Sequence, residues 1–263
     1  MTPAQLAELG ISMPPTQYEL PYDDGESMET QRHKVQMDLL IDTTEVWLAG
    51  RDDGYTSGNM FVYYSLSQLN IQDFKGPDFF VALGVPKGER LSWVRWEEGK
   101  TPDVVIELLS PSTRAYDKGE KRDIYQNQLH IPEYFWFDPF NPDELAGFQL
   151  QGGRYQPLQL NEQGQLVSQS LQLALGRWQG TYKGVTTQWL RWTELDGRLL
   201  PTAEEQARQQ AQQAQQQAEQ AQQQTEQAQQ RAEQARQQAE QSQQRAEKLA
   251  AHLRSLGIDP DAL

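Results

Sequence analysis

Residues 101–139 read TPDVVIELLSPSTRAYDKGEKRDIYQNQLHIPEYFWFDP. Residues 103–109 form an apolar, β-branched run bounded by Pro102 and Pro111, the pattern of a strand buried on both faces in a central sheet. Side chains alternate along a strand, so Asp103, Val105, Glu107 and Leu109 share one face and Val104, Ile106 and Leu108 the other. A carboxylate in mid-strand is costly to bury unless it is paired or holds a metal, which singles out Glu107. Ser110-Pro111-Ser112-Thr113 reads as a turn. A helix over 117–128 follows, with Asp117 or a neighbour as its cap, and then a second buried strand over 133–137.

Working outward, residues 1–25 carry four prolines and read as an extended arm. A helix is predicted over 27–40, with Met28, Val35 and Leu39 on one face. Strands are predicted over 55–65, broken at Gly58-Asn59, over 78–83 and over 90–96. Residues 145–192 read as short antiparallel strands separated by Gly-rich breakers. The order is helix, strands, helix, strand and β annex, an α/β or α+β layered domain. Its expected bounds are 26–198.

From residue 201 the composition changes to Ala, Gln, Glu and Arg, with no aromatic residue. Small or apolar residues recur at alternating spacings of three and four: Ala211, Ala214, Ala218, Ala221, Thr225, Ala228, Ala232, Ala235, Ala239, Ser242, Ala246, Leu249, Leu253 and Leu256. That seven-residue repeat is the condition for a left-handed coiled coil, expected over 201–256. An Ala seam buries little area, so Leu249, Leu253 and Leu256 should dominate any homo-oligomer formed through it.

The formal net charge is −14 and the pI about 4.7. Six Lys/Arg and nine Asp/Glu lie from residue 201 on, which leaves −11 of the charge on residues 1–200. This argues against a protein that coats nucleic acid through a basic footprint, but leaves room for a nuclease whose bound Mg²⁺ offsets local acid charge. The absence of cysteine removes disulfides, thiolate zinc sites and cysteine nucleophiles. No run of 18 apolar residues and no leader pattern is seen, so a cytoplasmic protein without a membrane partner is expected.

The acids on apolar strands carry the chemistry. Asp78 follows Pro77 at the start of the run Phe79-Phe80-Val81-Ala82-Leu83. Hard oxygen donors from two strands, Asp78 and Glu107, suit Mg²⁺ or Mn²⁺. Lys121, one turn into the following helix, has Tyr125 a further turn along on the same side. A lysine beside a metal-bound water can orient it and stabilise charge developing on a phosphate. The ordinary alternative for Glu107 is an ion pair with Lys118, Lys121 or Arg122. For Asp103 it is solvent exposure at the strand end.

Together, Pro77-Asp78, the block 101–113, Asp117, Lys121, Tyr125, Pro132-Glu133-Tyr134 and Phe137-Asp138-Pro139 resemble the Uma-two family of endonucleases in the PD-(D/E)XK restriction-endonuclease-like superfamily. The resemblance covers roughly residues 25–140, and more loosely the annex to about 195. It implies an αβββαβ core with a divalent-metal site. Asp78 matches the Pro-Asp carboxylate and Glu107 the second acid. The superfamily usually places lysine two residues after that acid, where this chain has Leu109; the resemblance assigns the lysine to the following helix, hence Lys121. Glu29 corresponds to a further acid of some members and His33 to a histidine often found there. The expected activity is metal-dependent cleavage of nucleic acid, with DNA as substrate. The alternative is a catalytically silent nuclease fold that binds or assembles through its coiled coil.

Overall fold

The computed structural model describes residues 14–22, 30–65 and 74–255, without the side chain of Leu253. The chain divides into two compact units, Met1–Ala203 and Glu204–Leu263. The first contains α1 (Gln31–Ala49), β1 (Asp53–Ser57), β2 (Val62–Tyr63), β3 (Phe74–Lys75), β4 (Phe79–Pro86), β5 (Trp93–Val94), α2 (Arg95–Glu98) and β6 (Val104–Leu108). A helical segment α3 (114–129) and β7 (Glu133–Phe137) follow, then β8 (Leu145–Gln151), β9 (Arg154–Pro157), β10 (Leu166–Ser168), β11 (Leu173–Tyr182) and β12 (Val185–Thr193).

β6 lies at the centre of a mixed six-stranded sheet ordered β1-β4-β6-β7-β8-β9. It pairs antiparallel with β4, Phe79 opposite Ile106, and parallel with β7, Glu107 opposite Trp136. All five of its residues are buried. The alternation read from the sequence holds: Val104, Ile106 and Leu108 enter the core that contains Met37 and Leu40 of α1. Val105 faces the other way, into the cluster with Tyr125 and Leu129 of α3. β10, β11 and β12 form a second sheet, and β2, β3 and β5 a small third one.

α1 runs nine residues beyond the predicted end at residue 40. Met37 and Leu40 pack on the main sheet, whereas Val35 and Leu39 pack with Trp189 of β12. A helix buried on two sides has no single apolar stripe, so a one-face reading undercounts it. Its polar residues are satisfied inside: Gln36 donates to the Leu190 carbonyl and accepts from the Leu190 amide, both at 2.9 Å. Thr43 and Thr44 donate back to the carbonyls of Leu39 and Leu40. Residues 27–29 of the predicted helix lie outside the described residues.

The strand expected over 90–96 is only the two residues of β5, followed by α2, which Gly99 ends with a left-handed φ of 74°. Arg90 explains the difference: its guanidinium lies over the Tyr55 and Trp93 rings and pairs with Glu98 at 2.6 Å, drawing the chain into a compact corner. The described part of the arm is not simply extended. Residues 17–19 form a turn, and the Pro15 carbonyl accepts from Trp96 Nε1 at 2.8 Å.

The second unit consists, among the described residues, of the helix that begins at the end of the first, α4 (Ala203–Ser255). Its 53 residues correspond to about 80 Å of helix. Side-chain bonds four residues apart run along it, including Gln215–Glu219, Gln222–Glu226, Arg236–Glu240 and Gln243–Glu247. The Ala positions of the seam are exposed in the single chain, as is Leu249 at 61 %. Leu256 lies outside the described residues. No helix among the described residues is long and apolar enough to cross a membrane.

Candidate functional site

The site lies at the junction of β4, β6 and α3. The turn before α3 is held by Ser110, whose Oγ accepts from the Thr113 amide at 3.1 Å. α3 then alternates α turns (Arg114–Tyr116, Arg122–Ile124) with wide π turns (Asp117–Lys121, Tyr125–Leu129). Mixing 3.6-residue turns with wider ones brings the repeat close to four residues. Asp117, Lys121, Tyr125 and Leu129 therefore fall on one line, and all four are buried. From that line Lys121 and Tyr125 reach Glu107, and Asp117 reaches Lys121.

Glu107 is fully buried and accepts two charged or polar donors. The Tyr125 hydroxyl donates to Oε1 at 2.8 Å, and Lys121 Nζ lies 2.8 Å from Oε2. Lys121 Nζ also donates to the Gly76 carbonyl at 3.1 Å and lies 3.6 Å from Asp117 Oδ1. Asp78 reaches the same place from β4: its Oδ2 accepts from the Leu108 amide at 2.7 Å, and its own amide lies 3.5 Å from Glu107 Oε2. Gly58 is required beside it, because a Cβ there would fall on the Asp78 carbonyl oxygen and the Met37 side chain.

Burial pushes the Glu107 carboxyl up to about 8; Lys121 pulls it down, and the charges of Asp78 and Asp117 push it further up. Asp78 is raised for the same first reason, against the pull of Lys121. Burial alone would lower Lys121, but Glu107, Asp78 and Asp117 outweigh it and hold the ammonium charged. Burial, followed by the Glu107 charge, holds the Tyr125 phenol protonated, as a donor. Lys121 is thus the partner that the ordinary explanation of a buried Glu107 requires, and the contact is ionic only where the raised Glu107 carboxyl has lost its proton. Asp117 shares the same cation at 3.6 Å, and Asp78 acts on it through its charge.

Asp78, Glu107, Lys121 and Tyr125 come together. The other candidates are placed differently. Asp103, one residue before the opposite end of β6, accepts from the Leu83 amide at 2.7 Å and from Lys100 Nζ at 2.6 Å. His33 is buried beside the loop after β6, with Nδ1 2.8 Å from Thr30 Oγ1 and Nε2 3.1 Å from the Leu109 carbonyl. A hydrogen on Nε2 satisfies both contacts and ties the start of α1 to the strand that carries Glu107. Glu29 lies outside the described residues. Asp117, read from the sequence as a cap and as one position of the family pattern but not as a site residue, belongs to the cluster; its four-residue spacing to Lys121 and Tyr125 is the signal that marks it.

Among the described residues, no group of three or more His, Cys, Asp or Glu is arranged to hold a metal together. Asp78 and Glu107 are a two-carboxylate set. That donor set fits an ion such as Mg²⁺, which keeps several waters and takes one or two carboxylates.

A family model named Uma2 and described as "Putative restriction endonuclease" matches residues 5–188. Among solved structures, the chain is similar to the "putative nuclease belonging to DUF820" of Anabaena variabilis ATCC 29413. The identity is 16%, over 55% of this chain and 84% of that one, with a TM-score of 0.37. No curated protein matches the chain.

Proposed function

The chain belongs to the Uma2 family, and we propose that it is a metal-dependent endonuclease that hydrolyses phosphodiester bonds in nucleic acid. In this reading α1, β1, β4, β6, α3 and β7 are the αβββαβ core of the restriction-endonuclease-like fold. The observation that carries it is the convergence of Asp78, Glu107 and Lys121 from two adjacent strands and the following helix. Asp78 and Glu107 would hold Mg²⁺ or Mn²⁺, which supplies a nucleophilic water at neutral pH and neutralises charge on the phosphate.

The protein residues each have a task. The Leu108 amide fixes Asp78, and the Tyr125 hydroxyl fixes Glu107, so both carboxylates are oriented before any ligand arrives. Lys121 keeps its charge among the acids. On substrate binding Nζ exchanges the Glu107 oxygen for a phosphate oxygen and stabilises the charge that develops there. α4 is read as an association helix: its small seam lets a second copy approach closely, and Leu249 adds apolar area.

The test is cleavage by the full-length chain of single-stranded, double-stranded and branched DNA and RNA, with Mg²⁺ or Mn²⁺ and with EDTA. Glu107→Gln, Asp78→Asn and Lys121→Met should abolish metal-dependent cleavage while far-UV circular dichroism stays unchanged. A wild-type chain that cleaves none of these substrates with either metal overturns the reading, and full activity in Glu107→Gln removes that residue from the site.

A further inference from the structure

Two cations beside the site are set apart from the others. Lys34, Arg114, Lys118, Arg122 and Arg177 each pair with a carboxylate. Lys75 and Arg32 have no carboxylate partner among the described residues. Each instead lies over an aromatic ring: Lys75 Nζ is 5.7 Å from the centre of Tyr116, and the Arg32 guanidinium 4.7 Å from that of Phe140. Both rings are exposed, Tyr116 at 37 % and Phe140 at 55 %.

Both pairs border the acid cluster. Lys75 precedes Gly76, whose carbonyl holds Lys121, and Tyr116 precedes Asp117, whose carboxylate lies 3.6 Å from the same ammonium. Arg32 precedes His33, which is bonded to the Leu109 carbonyl two residues after Glu107. The Phe140 ring stands 5.7 Å from the His33 ring, and the Phe140 amide is tied to Asp138, the partner of Arg114 at the start of α3.

We propose that Lys75–Tyr116 and Arg32–Phe140 form a two-point platform that holds single-stranded nucleic acid across the site, each pair taking one base and its adjoining phosphate. This rests on the nuclease reading and names its substrate class. An aromatic face or guanidinium plane stacks only on a base that is free of its own duplex stack. A ring beside a cation therefore selects unpaired nucleotides. With −11 on residues 1–200, such a platform relies on stacking and on these two local cations rather than on a continuous basic track. Two local cations suffice to seat two phosphates of a flexible strand.

The experiment measures binding by fluorescence anisotropy, with the full-length chain in EDTA and labelled 15-nucleotide DNA and RNA strands, alone or annealed to their complements. Single strands should bind at least tenfold more tightly than the duplexes. Tyr116→Ala and Phe140→Ala should each weaken that binding by about 5- to 150-fold. Tyr116→Phe and Phe140→Tyr keep the stacking face and should restore it. Lys75→Gln should lower the steepness of log K against log salt by about 0.7, the value for one phosphate contact on a single strand. Both rings are surface side chains, and an unchanged melting temperature would confirm that the variants fold. Equal affinity for strand and duplex, alanine variants that bind like wild type, or no binding to either form overturns the platform. Cleavage separates the two proposals. If Tyr116→Ala/Phe140→Ala still cuts with wild-type efficiency, the platform fails and the nuclease stands. Ring-dependent strand binding by a chain that never cuts leaves the platform and removes the nuclease.

Discussion

Glu107→Gln should change how stability depends on pH. The carboxyl is fully buried, and burial raises it from 4.5 to about 8. Between those values the folded chain holds a proton that the unfolded chain has released, so stability falls as pH rises. The separation of about 3.5 pH units, at about 1.4 kcal/mol each, amounts to roughly 5 kcal/mol lost across the window. Lys121 does not mask this: its raised ammonium stays charged in both states until well above pH 8. Gln keeps the shape and still accepts from the Tyr125 hydroxyl, but cannot ionise. Urea unfolding in EDTA at pH 5, 6, 7 and 8 should show wild type losing about 4 kcal/mol relative to Glu107→Gln over the series. Parallel curves would refute the reasoning and mean that Glu107 ionises in the folded chain much as it does in water.

Because a bound cation requires ionised carboxylates, Mg²⁺ binding at pH 7 should release about one proton; titration calorimetry in buffers of different ionisation enthalpy reads this, and buffer-independent heats contradict it. Gly58→Ala should press on the Asp78 carbonyl and cost about 1–3 kcal/mol of stability, with a larger loss of cleavage than Gly50→Ala, where the added methyl meets little; equal effects would separate Gly58 from the site. Glu133→Ala should destabilise the chain by about 2–5 kcal/mol in chemical unfolding, since the Ser168 hydroxyl and the Gln169 and Ser170 amides all lose their acceptor, whereas Glu133→Gln should cost less than half of that. Truncation after Ser242 should lower the oligomeric state seen by sedimentation, because it removes Leu249, Leu253 and Leu256; two monomers at high micromolar concentration would leave α4 without self-association.

What could be read from the sequence was what depends on neighbours a few residues away. β6 was legible because an apolar run between two prolines, with one acid in its middle, has few alternatives to a central strand. Its alternation then assigned Glu107 to the face that α3 covers. Glu133 was read only as a strand and motif position, because its partners lie 35–37 residues on, in β10 and the turn after it. The end of α1 was missed because Thr43 and Thr44 are buried through bonds to their own helix, so polar letters there do not mark a surface. Asp103 lies at the other end of β6 from Glu107's partners, and its own partner, Lys100, is three residues away.

α3 is the instructive case. Its buried residues recur at intervals of four, matching neither the 3.6 of an α-helix nor the 3.5 of a coiled coil. A search tuned to those periods finds Lys121 and Tyr125 as a pair one turn apart and does not set Asp117 beside them. Only the two wide turns extend the line back to Asp117 and on to Leu129. Those turns therefore do chemical work. They bring a third acid to Lys121, and with it the extra negative charge that keeps the ammonium protonated beside Glu107. The backbone irregularity and the electrostatics of the site are one feature, which is why reading the helix as regular recovered the residues but not their full company.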